Sequence, residues 1–396
     1  MTAYRVPMSS PDLGEAERHA VAEVLDTPTL SMGQQTAAFE EAVRAYTGAA
    51  HAIAVNSGTA GLHLCVRAAG IGAGDLVLTT PFSFVASGNV LLYENAVPVF
   101  IDVDVDTGNL DPSRLAQAAE QLAKGGKAAQ IWLPRKGAQS KSLKAILPVD
   151  IFGQPADYDA INSIAETHRL TVIEDSCEAL GATYKGLPAG RLGQMGVFGF
   201  YPNKQITTGE GGVIITDDGE AADFMRALRN QGRAPGDTWL QHTHLGYNYR
   251  ITELSAALGR VQMGRLEELL TKRERVAAWY KARLQKFEDV ETQKIVPSTT
   301  RVSWFVYVIR LAPQVDRDRL IHLLDKAGIP ARPYFAPIHL QPYMMERFGY
   351  QLGDFPIAED LGRRGLALPF SSVMTEEQVD LVCAEIKKAL PKARTE

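Results

Sequence analysis

Lys204 stands in FYPNKQITTGEGG (200–212), between an apolar run and a glycine-rich one. A lysine held among apolar and small residues can lose its proton, by desolvation or by conjugation to a cofactor, and attack an aldehyde; most lysines are simply solvated surface charges. Asp175 closes the apolar run TVIED (171–175), which sets a carboxylate at the end of a strand, facing a ligand crevice, with Glu174 on the opposite face. An Asp there also reads as the N-cap of a following helix. The segment NSGTAG (56–61) joins a strand to a helix, and its exposed backbone N–H groups and hydroxyls make an anion cradle. A tight turn that needs glycine has the same appearance. The three gain weight as a set, because cradle, carboxylate and sheltered amine each follow a strand. Two other phosphate motifs fail: Gly126-Lys127 is followed by Ala128 rather than Ser or Thr, and Gly70-x-Gly72-x-Gly74 follows a helix and precedes a strand.

The elements that must position these residues are legible as an alternation. Residues 14–26 and 36–47 read as amphipathic helices, the second with Phe39, Val43 and Tyr46 on one face before Gly48. HAIAV (51–55), LVLTT (76–80) and VPVFI (97–101) read as strands, each followed by a helix, from about Gly58, from about Ser83 and from Asp111-Pro112. AILPVDIF (145–152), TVIED, GVFGF (196–200) and GVIIT (212–216) continue the series. This order predicts an α/β fold with a mainly parallel sheet covered on both faces. From Ile251 to about Phe287 a long helical stretch is expected as the hinge, followed by a strand at VSWFVYVIRL (302–311), a helix at 316–327 and a last helix from Thr375. The expected division is a large domain with an N-terminal helical arm over 1–255, then the linking helix and a smaller α+β domain over 256–396. Ligands should collect between the two. No internal repeat is visible.

Composition narrows the function. The 396 residues carry a net charge of −5 and a pI near 6.0, which argues against a general affinity for nucleic acid. From Lys124 to Lys144 there are six basic residues and no acidic ones, interrupted by Gly125, Gly126 and Gly137, and this reads as a solvated loop rather than a phosphate patch. The opening MTAYRVPMSSPDLGE lacks the apolar core of a signal peptide and no segment has the ~18 apolar residues of a membrane span, so the expected location is the cytoplasm, with no membrane contact. Cys65, Cys177 and Cys383 are too scattered for a disulfide framework or a zinc pattern. His242-x-His244 lacks partners at ligand spacing, so no metal is expected.

With these residues in view, the sequence resembles the DegT-type nucleotide-sugar aminotransferases, which are pyridoxal 5′-phosphate (PLP) enzymes of fold type I. The likeness runs through NSGTAGLHL (56–64), PFSFVAS (81–87), VPVFIDVD (97–104), VIEDSCEALGA (172–182), FYPNKQITTGEGG (200–212) and GYNYRITELSAALG (246–259). The resemblance implies that Gly58 and Thr59 hold the PLP phosphate, that Phe84 stacks on the ring and that Asp175 pairs with the protonated ring nitrogen. Lys204 would carry the cofactor as a Schiff base and then shuttle a proton. Asn248 would reach the phosphate of a neighbouring subunit, which implies a homodimer with shared sites. Arg250 reads either as a carboxylate or phosphate anchor or as a helix-start salt bridge. The sequence departs from the family at three places. Gly199 replaces the usual serine. Glu178 replaces the usual Gln or His near the phenolic oxygen, where two acceptors repel unless Glu178 is protonated or turned aside. Residues 123–144 form a longer link, with no function assigned.

The expected reaction is a ping-pong transamination with L-glutamate as donor and a nucleotide-linked keto sugar as acceptor, a 4-keto-6-deoxyhexose being the commonest in the family and a 3-keto sugar the alternative. Trp304, Phe305, Tyr307, Arg332, Tyr334 and His339 could shape the sugar site from the small domain, although such residues are more often core. A keto-inositol acceptor fits the same motifs. A PLP-dependent sugar dehydratase does not, since that branch replaces the lysine with histidine. A non-catalytic PLP-binding regulator is opposed by the retention of Asp175 with Lys204.

Overall fold

A computed structural model describes residues 4–137 and 142–395. The first half alternates as expected: α1 (Glu15–Leu25), α2 (Gln34–Thr47), β1 (His51–Val55), α3 (Gly58–Ala68), β2 (Leu76–Thr79), α4 (Ala86–Tyr93), β3 (Val97–Phe100), α5 (Pro112–Lys124), α6 (Gly126–Gln130), β4 (Leu143–Leu147) and α7 (Tyr158–His168). There follow β5 (Thr171–Asp175), the short pair β6 (Thr183–Tyr184) and β7 (Leu187–Pro188), β8 (Met195–Gly199), β9 (Gly212–Thr216) and α8 (Gly219–Arg229). The seven-stranded sheet has the order β1-β9-β8-β5-β4-β2-β3; β9 runs antiparallel to both neighbours and the other pairs are parallel. Strands β2, β3, β8 and β9 are buried along their whole length, and β4 and β5 along their C-terminal parts, as a sheet covered on both faces requires. The helices begin where the sequence offers oxygen caps: Ser57 accepts from Ala60 N, Asp111 from Ser113 N and Arg114 N, and Asp218 from Ala221 N.

The second half comprises α9 (Glu253–Gly264), α10 (Leu266–Leu284), β10 (Val290–Thr292), β11 (Thr299–Arg301), β12 (Tyr307–Leu311), α11 (Arg317–Lys326), β13 (Arg332–Pro333), α12 (Pro342–Phe348), α13 (Pro356–Arg364), β14 (Gly365–Leu368) and α14 (Glu376–Ala393). An antiparallel sheet of order β10-β12-β14-β13 forms the small domain, while β11 joins β6 and β7 in a separate small sheet. Along β12 the pleat divides the cores: Tyr307 and Ile309 enter the small-domain core, whereas Val308 faces the core shared with the large sheet. Among the described residues no helix is long and apolar enough to cross a membrane.

Four expectations change. The single helix over 251–287 is two helices, broken at Arg265. The boundary at 255/256 falls inside α9, whose Ala256 and Met263 pack with Leu266, Leu269 and Leu270 of α10 in a large-domain core; α10 enters the small-domain core only from Val276. The strand expected over 302–311 begins at Tyr307, because the preceding residues turn away: Trp304 has φ of 50° and Ser303 N donates to Gly153 O. The link at 124–137 keeps its basic residues exposed, as expected, but is anchored rather than a plain loop. It contains α6, Trp132 Nε1 bonds Gln121 Oε1 at 2.8 Å, and Arg135 grips both oxygens of Asp354 at 2.6 and 2.7 Å. Residues 138–141 of that link lie outside the described residues.

Candidate active site

The C-terminal end of β5 sends its last two side chains to opposite sides. Glu174 is fully buried and accepts N–H bonds from Gly190, from Leu192 at 2.8 Å and from Gly193 at 3.2 Å. Asp175 faces the cavity, and no helix starts after it; Ser87 Oγ donates to its Oδ2 at 2.7 Å and Cys177 N to its Oδ1 at 3.2 Å. Ser87 lies on α4, three residues after Phe84, which shares the cavity wall. Sequence reasoning passed over Ser87, whose one signal is its place three residues after Phe84 in PFSFVAS; its contact with Asp175 spans 88 positions of sequence.

The cradle is built from close backbone contacts. A Cβ on Gly212, at the start of β9, would lie 2.7 Å from Ser57 C and O and 2.8 Å from Gly58 N. A Cβ on Gly58 would lie 2.8 Å from Cys177 Sγ. Both glycines let β9 and the segment after β5 approach the N-terminus of α3, where Gly58 and Thr59 line the cavity.

Lys204 sits in the loop between β8 and β9, where its N–H donates to Tyr201 O at 2.9 Å. Its Nζ lies 3.8 Å from Glu178 Oε1 and 3.8 Å from the centroid of the Phe305 ring. The loop is clamped from behind by Arg273 of α10, which is 2% exposed. Its guanidinium donates to the carbonyls of Asn203, Lys204, Trp304 and Phe305. Sequence reasoning missed Arg273, whose signal is a charge inside the apolar stripe Leu266, Leu269, Leu270, Val276, Ala277, Tyr280. Glu178 is 5% exposed, and its Oε2 accepts the Phe152 N–H at 2.9 Å. Burial pushes its carboxyl up to about 7, against the opposing pull of the Lys204 ammonium and the Phe152 N–H.

Gly58, Thr59, Phe84, Asp175, Glu178, Lys204 and Tyr334 thus converge on one cavity of about 510 Å³ between the strand ends and the small domain. Other expected residues lie elsewhere. Asn248 is exposed and accepts from Asn56 Nδ2 at 3.3 Å, just outside the cradle. Arg250 bonds Asn230 Oδ1 at 3.0 Å rather than a carboxylate; neither residue lines the cavity of its own chain. The expected substrate contact at His339 is corrected: the residue is fully buried, with Nε2 2.9 Å from Glu359 Oε1 and its ring against Phe355. The cause is local, since Ile338 N donates to Pro81 O and the tight turn that follows directs the imidazole inward. Trp304 and Tyr307 stack in the small-domain core and Arg332 is exposed on β13, so these three also leave the cavity.

A cavity with a strand-end carboxylate, a helix N-terminus opened by glycines and a sheltered amine fits PLP: anion, ring nitrogen and aldehyde each meet a suitable group. The model of the DegT/DnrJ/EryC1/StrS aminotransferase family matches residues 11–387. A GDP-perosamine synthase of Caulobacter vibrioides is 40% identical, with 98% of each chain covered. Among solved structures, DesV of S. venezuelae in complex with a ketimine intermediate superposes with a TM-score of 0.86, at 29% identity and over 100% of both chains. PseC of Helicobacter pylori, an aminotransferase involved in the biosynthesis of pseudoaminic acid, gives 0.87 at 27% identity, over 98% of this chain and 99% of that one. The chain belongs to the DegT/DnrJ/EryC1/StrS aminotransferase family and is a PLP-dependent aminotransferase.

Proposed function

We propose that the enzyme moves an amino group from L-glutamate to a keto sugar carried on a nucleoside diphosphate, a 4-keto-6-deoxyhexose, with 2-oxoglutarate leaving between two half-reactions. The observation that carries this reading is the convergence of Lys204, Asp175 and the α3 cradle in one cavity beside the small domain. Similarity to a GDP-perosamine synthase and to an aminotransferase of pseudoaminic acid biosynthesis supports a sugar acceptor. When bound, PLP supplies an aldehyde carbon that holds the amino group in transit and a ring that accepts electrons as a C–H bond breaks. Gly58 and Thr59 hold its phosphate through the free N–H groups of α3, and Phe84 covers a ring face. Asp175, fixed by Ser87, keeps the ring nitrogen protonated. Lys204 carries the cofactor between turnovers and moves the proton from the donor's α-carbon. Glu178 and Tyr334 wall the reacting end. Asn248 serves the phosphate of a partner subunit's site, which makes the enzyme a homodimer, and Arg250 anchors a carboxylate or phosphate.

The test supplies the purified enzyme with PLP, L-glutamate and either a nucleotide-linked 4-keto-6-deoxyhexose or a keto-inositol, and follows 2-oxoglutarate together with the product mass. An aminated nucleotide sugar formed in step with 2-oxoglutarate, and lost in Lys204→Ala, is the expected result. Amination of the keto-inositol alone replaces the acceptor, and turnover only with another amino acid replaces the donor.

A further inference from the structure

We propose that Glu178 is the base that takes the proton from Lys204 when this lysine is coupled to the cofactor's aldehyde. The inference rests on the reading of Lys204 as the cofactor lysine. Oε1 of Glu178 lies 3.8 Å from Lys204 Nζ, and no other carboxylate among the described residues pairs with that amine. The two oxygens of Glu178 are employed differently: Oε2 accepts the Phe152 N–H, while Oε1 has no hydrogen-bond donor among the described residues and faces the amine. Two other carboxylates line the cavity: Asp175 has one oxygen bonded by Ser87 and the other by Cys177 N, and Glu210 is exposed and forms no ion pair with the amine. Beside the amine lies the face of Phe305, which takes no proton. With the two side chains only 14% and 6% exposed, proton release directly to bulk water is hindered, and the nearby Oε1 is the available acceptor.

The surroundings tune this exchange. The titratable groups that bear on Glu178 are Lys204, Asp175, Cys177 and Tyr334. Burial holds the Cys177 thiol well above its usual range and raises Tyr334 to about 12, so neither changes charge near neutrality. Glu178 itself, raised by burial, takes up a proton near neutral pH, which suits a group that must accept one and return it. In the coupling step the ammonium of Lys204 gives one proton to Oε1, and the freed nitrogen lone pair attacks the aldehyde carbon. A C=N bond replaces the C=O bond, and the carbonyl oxygen leaves as water with the two protons that remained on the nitrogen.

The experiment uses the full chain freed of cofactor. PLP is added across mildly acidic to mildly alkaline pH, the coupled form is trapped with borohydride at timed intervals, and the Lys204 peptide is quantified by mass. In the wild type the trapping rate should pass through an inflection near neutrality. Glu178→Gln keeps an oxygen for the Phe152 N–H but cannot titrate; it should lose the inflection and slow at neutral pH by about 10²-fold. Glu178→Asp should keep an inflection at reduced rate, which separates loss of the base from loss of the fold. A Glu178→Gln profile that matches the wild type overturns the proposal alone. Absence of trapping on wild-type Lys204 at every pH overturns the reading of that lysine and the proposal with it.

Discussion

Glu174 and Asp175 are adjacent acids with opposite employment, and the strand's two-residue period is the reason. One closes a buried network beneath the sheet; the other holds a charge at the cavity, supported by Ser87 and Cys177 N. Asp175→Asn keeps the shape and both local bonds in reach while removing the charge, so the protein should fold normally. Its rate of amino transfer from glutamate should fall by about 10²–10³-fold, the range for removing one preorganised electrostatic group. Single-turnover absorbance with glutamate measures this, and a loss smaller than about 5-fold would mean that Asp175 does not govern the ring. The convergence of Asp175, Lys204 and Gly58 was legible in sequence because Asp175 ends an apolar strand and the other two sit one short turn beyond one, each strand being itself legible. His339 was not, because a rotation of the chain after Pro337 decides whether its ring meets the cavity or Glu359, and no periodicity reports that rotation.

At the scale of elements, the ends of β4 and β5 are tied by a proton count. Ser176 Oγ lies 2.6 Å from Asp150 Oδ2 and 2.8 Å from Glu174 Oε1, yet a hydroxyl has one proton to donate. Glu174 already accepts three backbone N–H groups, which favour its charge, so Ser176 donates to Glu174 and Asp150 donates to Ser176. Burial and the Glu174 charge accordingly hold Asp150 well above the usual carboxylate range. The sign follows: an acid whose folded pKa is raised stabilises fully below its unfolded pKa, and that contribution drains away as pH climbs toward the folded value. Asp150→Asn places an N–H where the proton sits and keeps an oxygen for Ala156 N and Tyr158 OH. Urea unfolding should find it at least as stable as the wild type at neutral pH, with a flatter decline toward alkaline pH. A loss above about 2 kcal/mol at neutrality would show instead that Asp150 is ionised. On α10 the expectation runs the other way. Arg273→Met strands four carbonyls, one buried and three part-buried, and should cost about 2–4 kcal/mol in the same assay, and an unchanged midpoint would show the clamp to be idle. The carbonyl turn at 304–305 that Arg273 holds is also why the strand expected from Val302 starts only at Tyr307: VSWFV has strand composition, and a tertiary contact overrides it.

For the whole molecule, the apolar contact between domains is continuous, since Phe305, Val308, Phe335 and Ala367 join the core of the large sheet. The cavity therefore has a fixed roof from its own chain, yet Asn248 and Arg250 lie beyond its lining, on a segment bonded to Asn56 in the turn between β1 and α3. That segment also exposes Trp239, Leu240 and Leu245, at 81%, 72% and 83%. Sequence pattern could supply the parallel sheet and the two-domain plan, because both follow from local periodicity; what a second copy contributes depends on contacts that no single chain contains. Shared sites make a prediction that self-contained sites do not. If each site uses Lys204 of one subunit and Asn248 of the other, a heterodimer of Lys204→Ala with Asn248→Ala has one site bearing both changes and one bearing neither. Each variant alone should be strongly impaired. After subunit exchange of equal amounts, half the dimers are mixed and half of their sites are intact, so activity should recover to about a quarter of wild type. If Asn248 acted within its own chain, every site in the mixture would carry one of the two changes, and mixing would restore nothing.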